Sequence, residues 1–160
     1  MQYFDASEAN DTFPQTATKL RVEIDGAEPR LRAYDEEQAA ASRGPSKWSR
    51  KQVLGHLIDS AANNHQRFVR GQEVEALVLP GYAQEHWVAS QRYDSRPWSE
   101  IVGMWVAYNR HLAHVLANIP ADKAEVPCSI GTYPQVTLGH IARDYVGHIR
   151  HHMRQIFEDT

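Results

Sequence analysis

The stretch DYVGHIRHHMRQI, residues 144–156, places three histidines, His148, His151 and His152, within five positions. Histidine is a mediocre helix former, yet the pattern around these residues is helical. Leu138, Ile141, Tyr145, His148, His152 and Ile156 recur at steps of three and four. His148 and His152 continue this apolar stripe, whereas His151 is turned about 100° from it and His140 also falls off it. Side chains four apart stand one above the other on a helix, so both imidazoles can reach one point. Two buried imidazoles without partners are costly, and a shared metal ion gives both ring nitrogens a partner. A third ligand should then come from another segment. His56, in VLGHLIDSAANNHQRF, borders a stripe of Val53 and Leu57 and lies one turn before Ser60. It sits about midway along its segment, as the pair does along its own. His65 falls on the opposite side, and His86, His111 and His114 read as ordinary surface or packing residues.

Three neutral imidazoles leave a divalent ion with its full charge and an open coordination position, the pattern of a catalytic zinc site. Such an ion acidifies a bound water toward a pKa of about 7, or deprotonates a bound thiol. The run His-Ile-Arg-His-His lacks the Glu that follows the first His in zinc peptidases, which excludes that class. Asp59, three residues after His56, and Asp144, four before His148, could each accept a proton from the second nitrogen of a ligand. The bland alternative for both is an ion pair with Arg67, Arg143 or Arg150. Arg67, Arg70, Arg150 and Arg154 either rim an opening for an acidic co-substrate or lie on solvated helix faces.

Four long segments must position these residues. The first runs from about Phe13 to Tyr34, with Leu20, Ile24, Ala27 and Leu31 on one stripe and a kink or break expected at Gly26 and Pro29. The second opens at Ser49, with Gln52 completing a capping box, carries Val53, Leu57, Ala61, Asn64 and Phe68 on one side, and ends near Gly71. The third begins in RPWSE, with Ser99 or the preceding turn as its cap, and buries Ile101, Trp105, Tyr108, Leu112, Val115 and Ile119. The fourth is capped by Thr137 and spans Leu138 to Phe157. The sequence predicts an all-α four-helix bundle with little strand. Loops 1–2 and 3–4 are short. The long connection over residues 72–96, holding LVLPGY and EHWV, can cross the bundle and give an up-down-down-up path. LPGYAQEHWV is expected to shape a pocket beside the histidines.

At 160 residues the chain suits a single domain over 1–160. A net charge of −3 gives no nucleic-acid footprint. Cys128 is the sole cysteine, which rules out an internal disulfide and fits a reducing, cytoplasmic setting. MQYFDASEAN has no signal-peptide pattern, and no apolar run approaches the roughly 20 residues of a membrane span.

Four blocks give the chain a family resemblance: WSRKQVLGHLIDSAANNHQRF, the WV of the long connection, the Trp-rich third helix, and HIRHHMRQI. In this layout it resembles the DinB/YfiT-like metalloenzymes over nearly its whole length. The resemblance implies a four-helix bundle with one histidine on the second helix and a His-x-x-x-His pair on the last, often followed by Gln. By position, the implied metal ligands are His56, His148 and His152, with Gln155 as the trailing Gln. Family members look like zinc, nickel or iron binders, and some are S-transferases that use a low-molecular-weight thiol. The expectations are therefore a divalent metal, zinc first, and a small-molecule substrate with a thiol as co-substrate. A metal-dependent hydrolase is the alternative, and a non-catalytic metal-containing binding or stress-response module is a further one. A homodimer is expected from the resemblance and the apolar helix surfaces.

Overall fold

The computed structural model describes residues 2–158. Six helices carry the chain: α1 (Phe13–Arg32), α2 (Glu36–Ala40), α3 (Arg50–Arg70), α4 (Gln84–Gln91), α5 (Trp98–Ala117) and α6 (Leu138–Phe157). Local sequence explains where they begin. Thr12 with Gln15, Asp35 with Gln38 and Ser49 with Gln52 form reciprocal capping boxes at α1, α2 and α3. The Thr137 hydroxyl accepts from the His140 N–H at the head of α6. Helix α5 opens directly after Pro97, without a side-chain cap.

The first helix differs from its sequence expectation. Gly26 and Pro29 lie inside a continuous α1. Pro29 falls in its last turn, where one lost backbone hydrogen bond is offset by packing: Leu31 is fully buried and its carbonyl accepts from Trp98 Nε1 at 2.8 Å.

Helices α1, α3, α5 and α6 form the bundle. α1 and α3 each pack against both α5 and α6. Arg50, opening α3, donates to the carbonyl of Ile156 near the end of α6, and Phe68, late in α3, meets Tyr145 early in α6. The two helices that carry the histidines therefore run past each other in opposite directions. The apolar faces of all four helices, with Leu20, Ile24, Leu57, Phe68, Trp105, Leu112 and Ile149, close on one continuous core.

The connections hold more structure than the sequence suggested. The link from α1 to α3 contains α2. The long link from α3 to α5 contains β1 (Leu77–Leu79) and α4, and the link from α5 to α6 contains β2 (Pro127–Ile130) and β3 (Val136–Thr137). β1 pairs parallel with β2, with Leu77 opposite Cys128, and β2 pairs antiparallel with β3, with Cys128 opposite Val136. This sheet fastens the two connections together. At its corner Gly131 has φ of 55° and donates its N–H to Leu79 O at 2.9 Å, and a Cβ there would stand 3.0 Å from Gly81 N. Among the described residues no helix is long and apolar enough to cross a membrane.

Candidate metal centre

His56 lies on the inward face of α3 between Val53 and Leu57 and is 1% exposed. His148 and His152 face it from α6 and are half-buried, while His151 on the same helix is exposed. His56 Nε2 is 3.3 Å from His148 Nε2, which is 3.0 Å from His152 Nε2. Ligand atoms of the three residues lie within 4.8 Å of one another, the one such three-residue group among the described residues. The sequence-expected trio is thus brought together. His65 bonds instead with the Tyr108 hydroxyl at 3.1 Å and stacks edge-on with His111, and His140 packs on Phe4.

Burial keeps these rings neutral. It lowers the pKa of His56 to about 4 and that of His148 to about 2, reinforced by the neighbouring imidazoles, and it lowers that of His152 as well. The outer nitrogens show where the lone pairs point. Gln155 Oε1 faces His152 Nδ1 at 2.8 Å, and an amide oxygen can only accept, so Nδ1 carries the proton and Nε2 presents its lone pair inward. Gln155 Nε2 in turn meets His151 Nε2 at 3.1 Å. On the other ring, His148 Nδ1 contacts Ser60 Oγ at 3.4 Å, Asn64 donates to that Oγ at 3.3 Å, and Arg67 donates to Asn64 Oδ1 at 3.2 Å. His56 Nδ1 is buried without a hydrogen-bond partner.

Neither carboxylate offered by the sequence serves a ligand ring. Asp59 Oδ1 accepts from the Tyr93 hydroxyl at 2.6 Å and Gln91 Nε2 at 2.5 Å, and burial raises its pKa. Asp144 Oδ1 accepts the Tyr3 backbone N–H at 2.6 Å. The uncharged Gln155 and Ser60 fill the positions expected of carboxylates. Of the four arginines expected near the opening, only Arg67 lines the cavity at His148. Arg150 is held by Glu8 and Glu23, Arg154 borders a separate groove between α1 and α6, and Arg70 donates to Gln66.

The donor set fits a divalent ion. Three imidazole nitrogens converge, that of His152 with its lone pair inward, and a shared cation satisfies all three at once. At a zinc–nitrogen bond of about 2.0–2.1 Å, tetrahedral ligand atoms stand about 3.3 Å apart and octahedral neighbours about 2.9 Å apart. The contacts of 3.0 and 3.3 Å fall in that span.

A cavity of about 410 Å³ opens beside His148, lined among others by Tyr3, Arg67, Tyr82, Tyr133 and Asp144. Tyr82 and Gln84 come from LPGYAQEHWV, as expected, and Trp87 stacks edge-on against Tyr82. Tyr133 comes from the GTYP turn, which the small sheet holds close to Gly81. The N-terminal segment escaped the sequence reading. Tyr3 packs edge-on against His148 at 5.1 Å, and its carbonyl lies 2.4 Å from where a Cβ on Gly147 would sit. A glycine directly before the first histidine was the one available signal for this crossing.

The same arrangement of helices recurs in a solved structure. YfiT from Bacillus subtilis, described as a probable metal-dependent hydrolase with an unusual four-helix bundle topology, superposes with a TM-score of 0.77 at 19% identity, covering 92% of this chain and 87% of that one. No curated protein matches the chain by sequence. Residues 19–156, which include all three clustered histidines and Gln155, match the DinB superfamily. The chain therefore belongs to the DinB superfamily.

Proposed function

We propose that His56, His148 and His152 bind one divalent metal ion, zinc first and nickel or iron as alternatives, and that the chain is a metal-dependent hydrolase of a small molecule held in the adjoining cavity. The observation that carries this reading is the convergence of three neutral Nε2 atoms beside that cavity. A bound ion supplies Lewis acidity that activates a water or a thiol at its open position. The chain's own residues do the rest. Gln155 fixes the His152 tautomer, and Ser60 orients His148. Tyr3, Tyr82 and Tyr133 line the cavity and give it aromatic walls. The description of YfiT as a probable metal-dependent hydrolase supports hydrolysis over transfer.

A thiol co-substrate would turn the same open position to S-transfer, the activity that the family resemblance suggested. In this reading the chain acts as one domain over residues 1–160, as a cytoplasmic homodimer, with the up-down-down-up path that the helix contacts favour. The test is a panel of activated small esters and amides with zinc-, nickel- and iron-loaded protein, with and without added thiol. Turnover by wild type without thiol, lost in His56→Ala, is expected. Turnover that requires thiol selects transfer instead, and equal turnover in His56→Ala removes the metal from the reaction.

A further inference from the structure

Arg67 projects from α3 into the cavity beside His148. Its guanidinium offers five N–H donors. Among the described residues its hydrogen bonding is confined to one contact, with Asn64 Oδ1 at 3.2 Å, and it forms no ion pair. Arg32, Arg96, Arg110 and Arg150 differ: each holds a carboxylate at 2.8–2.9 Å. A partly buried guanidinium with most of its donors unfilled is costly, even with the Asp144 carboxylate of the same cavity acting on it at a distance. The acidic side chain of the same cavity, Asp144, is already engaged by the Tyr3 N–H.

We propose that Arg67 is the recognition residue for a carboxylate on the ligand of this cavity, so that the substrate class is small monocarboxylates. The planar fork of the guanidinium matches a carboxylate with two parallel hydrogen bonds. Tyr82 adds a neutral donor on the same wall, because burial raises its hydroxyl pKa to about 12 and keeps it protonated. Asp144 sets the limit on charge: it repels a second negative group and so favours a monoanion over a phosphate dianion. The aromatic walls from Tyr3, Tyr82 and Tyr133 suit an apolar body attached to that carboxylate. The inference rests on the proposed function only in taking this cavity as the ligand site, and it does not need the metal.

The test is a nuclear magnetic resonance titration of the protein as purified, and of the zinc-loaded protein, with 3-phenylpropionate and its neutral amide. Backbone signals around Tyr82 and Tyr133 report the dissociation constants. Wild type should bind the acid roughly tenfold or more tightly than the amide, as expected for one charge-assisted pair. Arg67→Gln should bring the ratio close to one while leaving amide binding in place, which shows that the cavity has survived. Arg67→Lys should restore part of the preference. A preference for the acid that persists in Arg67→Gln, equal binding of acid and amide by wild type, or tighter binding of inorganic phosphate than of the acid would each overturn the proposal. A preference lost in His152→Ala but kept in Arg67→Gln would assign the carboxylate to the metal instead. Failure of the zinc to bind leaves the Arg67 comparison fully readable.

Discussion

Two residues that are not in the histidine cluster set its geometry. Gln155 and Ser60 hold the outer nitrogens of His152 and His148, and both are neutral. A neutral partner fixes a tautomer without adding negative charge to the centre. Gln155→Leu should weaken zinc binding by about tenfold to a hundredfold, measured by competition with a chromophoric chelator, while circular dichroism stays unchanged. Unaltered affinity in that variant would mean that Gln155 does not orient the ring. The angular step along α6 made His148, His152 and the exposed His151 separable in the sequence. The second nitrogens were less legible. Asp59 and Asp144 have the right sequence distances, yet α3 turns Asp59 toward Tyr93 and Gln91, and the N-terminal segment captures Asp144. Those partners lie 32 to 141 positions away in the chain, beyond the reach of any local pattern.

At the scale of elements, two glycines mark close approaches that the histidine helices need. A Cβ on Gly55 would lie 2.2 Å from the Tyr93 ring, one residue before His56. A Cβ on Gly147 would lie 2.4 Å from the Tyr3 carbonyl, one residue before His148. The second obstacle is backbone, so Gly147→Ala must lift the N-terminal segment from α6. Hydrogen exchange of the amides at residues 3–8 should speed up by at least about tenfold, with bundle amides little changed. Unchanged exchange at Tyr3 would show that the segment accommodates the methyl group. The long helices were legible because apolar stripes and capping boxes are local signals, as at Ser49–Gln52. The sheet was not, because β1 to β3 are two to four residues long and their pairing joins Leu77 to Cys128 across the whole of α5. Pro29 misled for the opposite reason: the rule against internal proline is local, and the packing of Leu31 and Trp98 overrides it.

The whole molecule is tied together by charges on the side of α6 away from the cavity. Glu8 pairs with Lys19 of α1 and Arg150 of α6, and Arg150 also pairs with Glu23. Burial alone would raise the Glu8 pKa, but the hydrogen bonds from Lys19, Arg150 and the Asp5 N–H hold it at about 2. A depressed carboxyl pKa stabilises the fold above the unfolded value of 4.5, and that contribution fades as pH falls toward 2. Glu8→Gln should therefore cost about 1 kcal/mol at pH 7, a figure kept small because the network is partly solvated. The gap to wild type should narrow between pH 4.5 and 2.5, followed by urea unfolding; a gap that widens on acidification would contradict this sign. The proposed metal belongs to the same scale, since the clustered histidines come from α3 and α6 and an ion held by them would fasten one antiparallel pair of the bundle. The most direct test of that central claim is metal per chain, measured by mass spectrometry on untagged protein after equal dialysis against a weak chelator. Wild type and His151→Ala should retain about one zinc per chain, whereas His56→Ala and His152→Ala should lose most of it through a drop in affinity on the order of a hundredfold. Retention of zinc in His152→Ala, or equal loss in His151→Ala, would contradict the account.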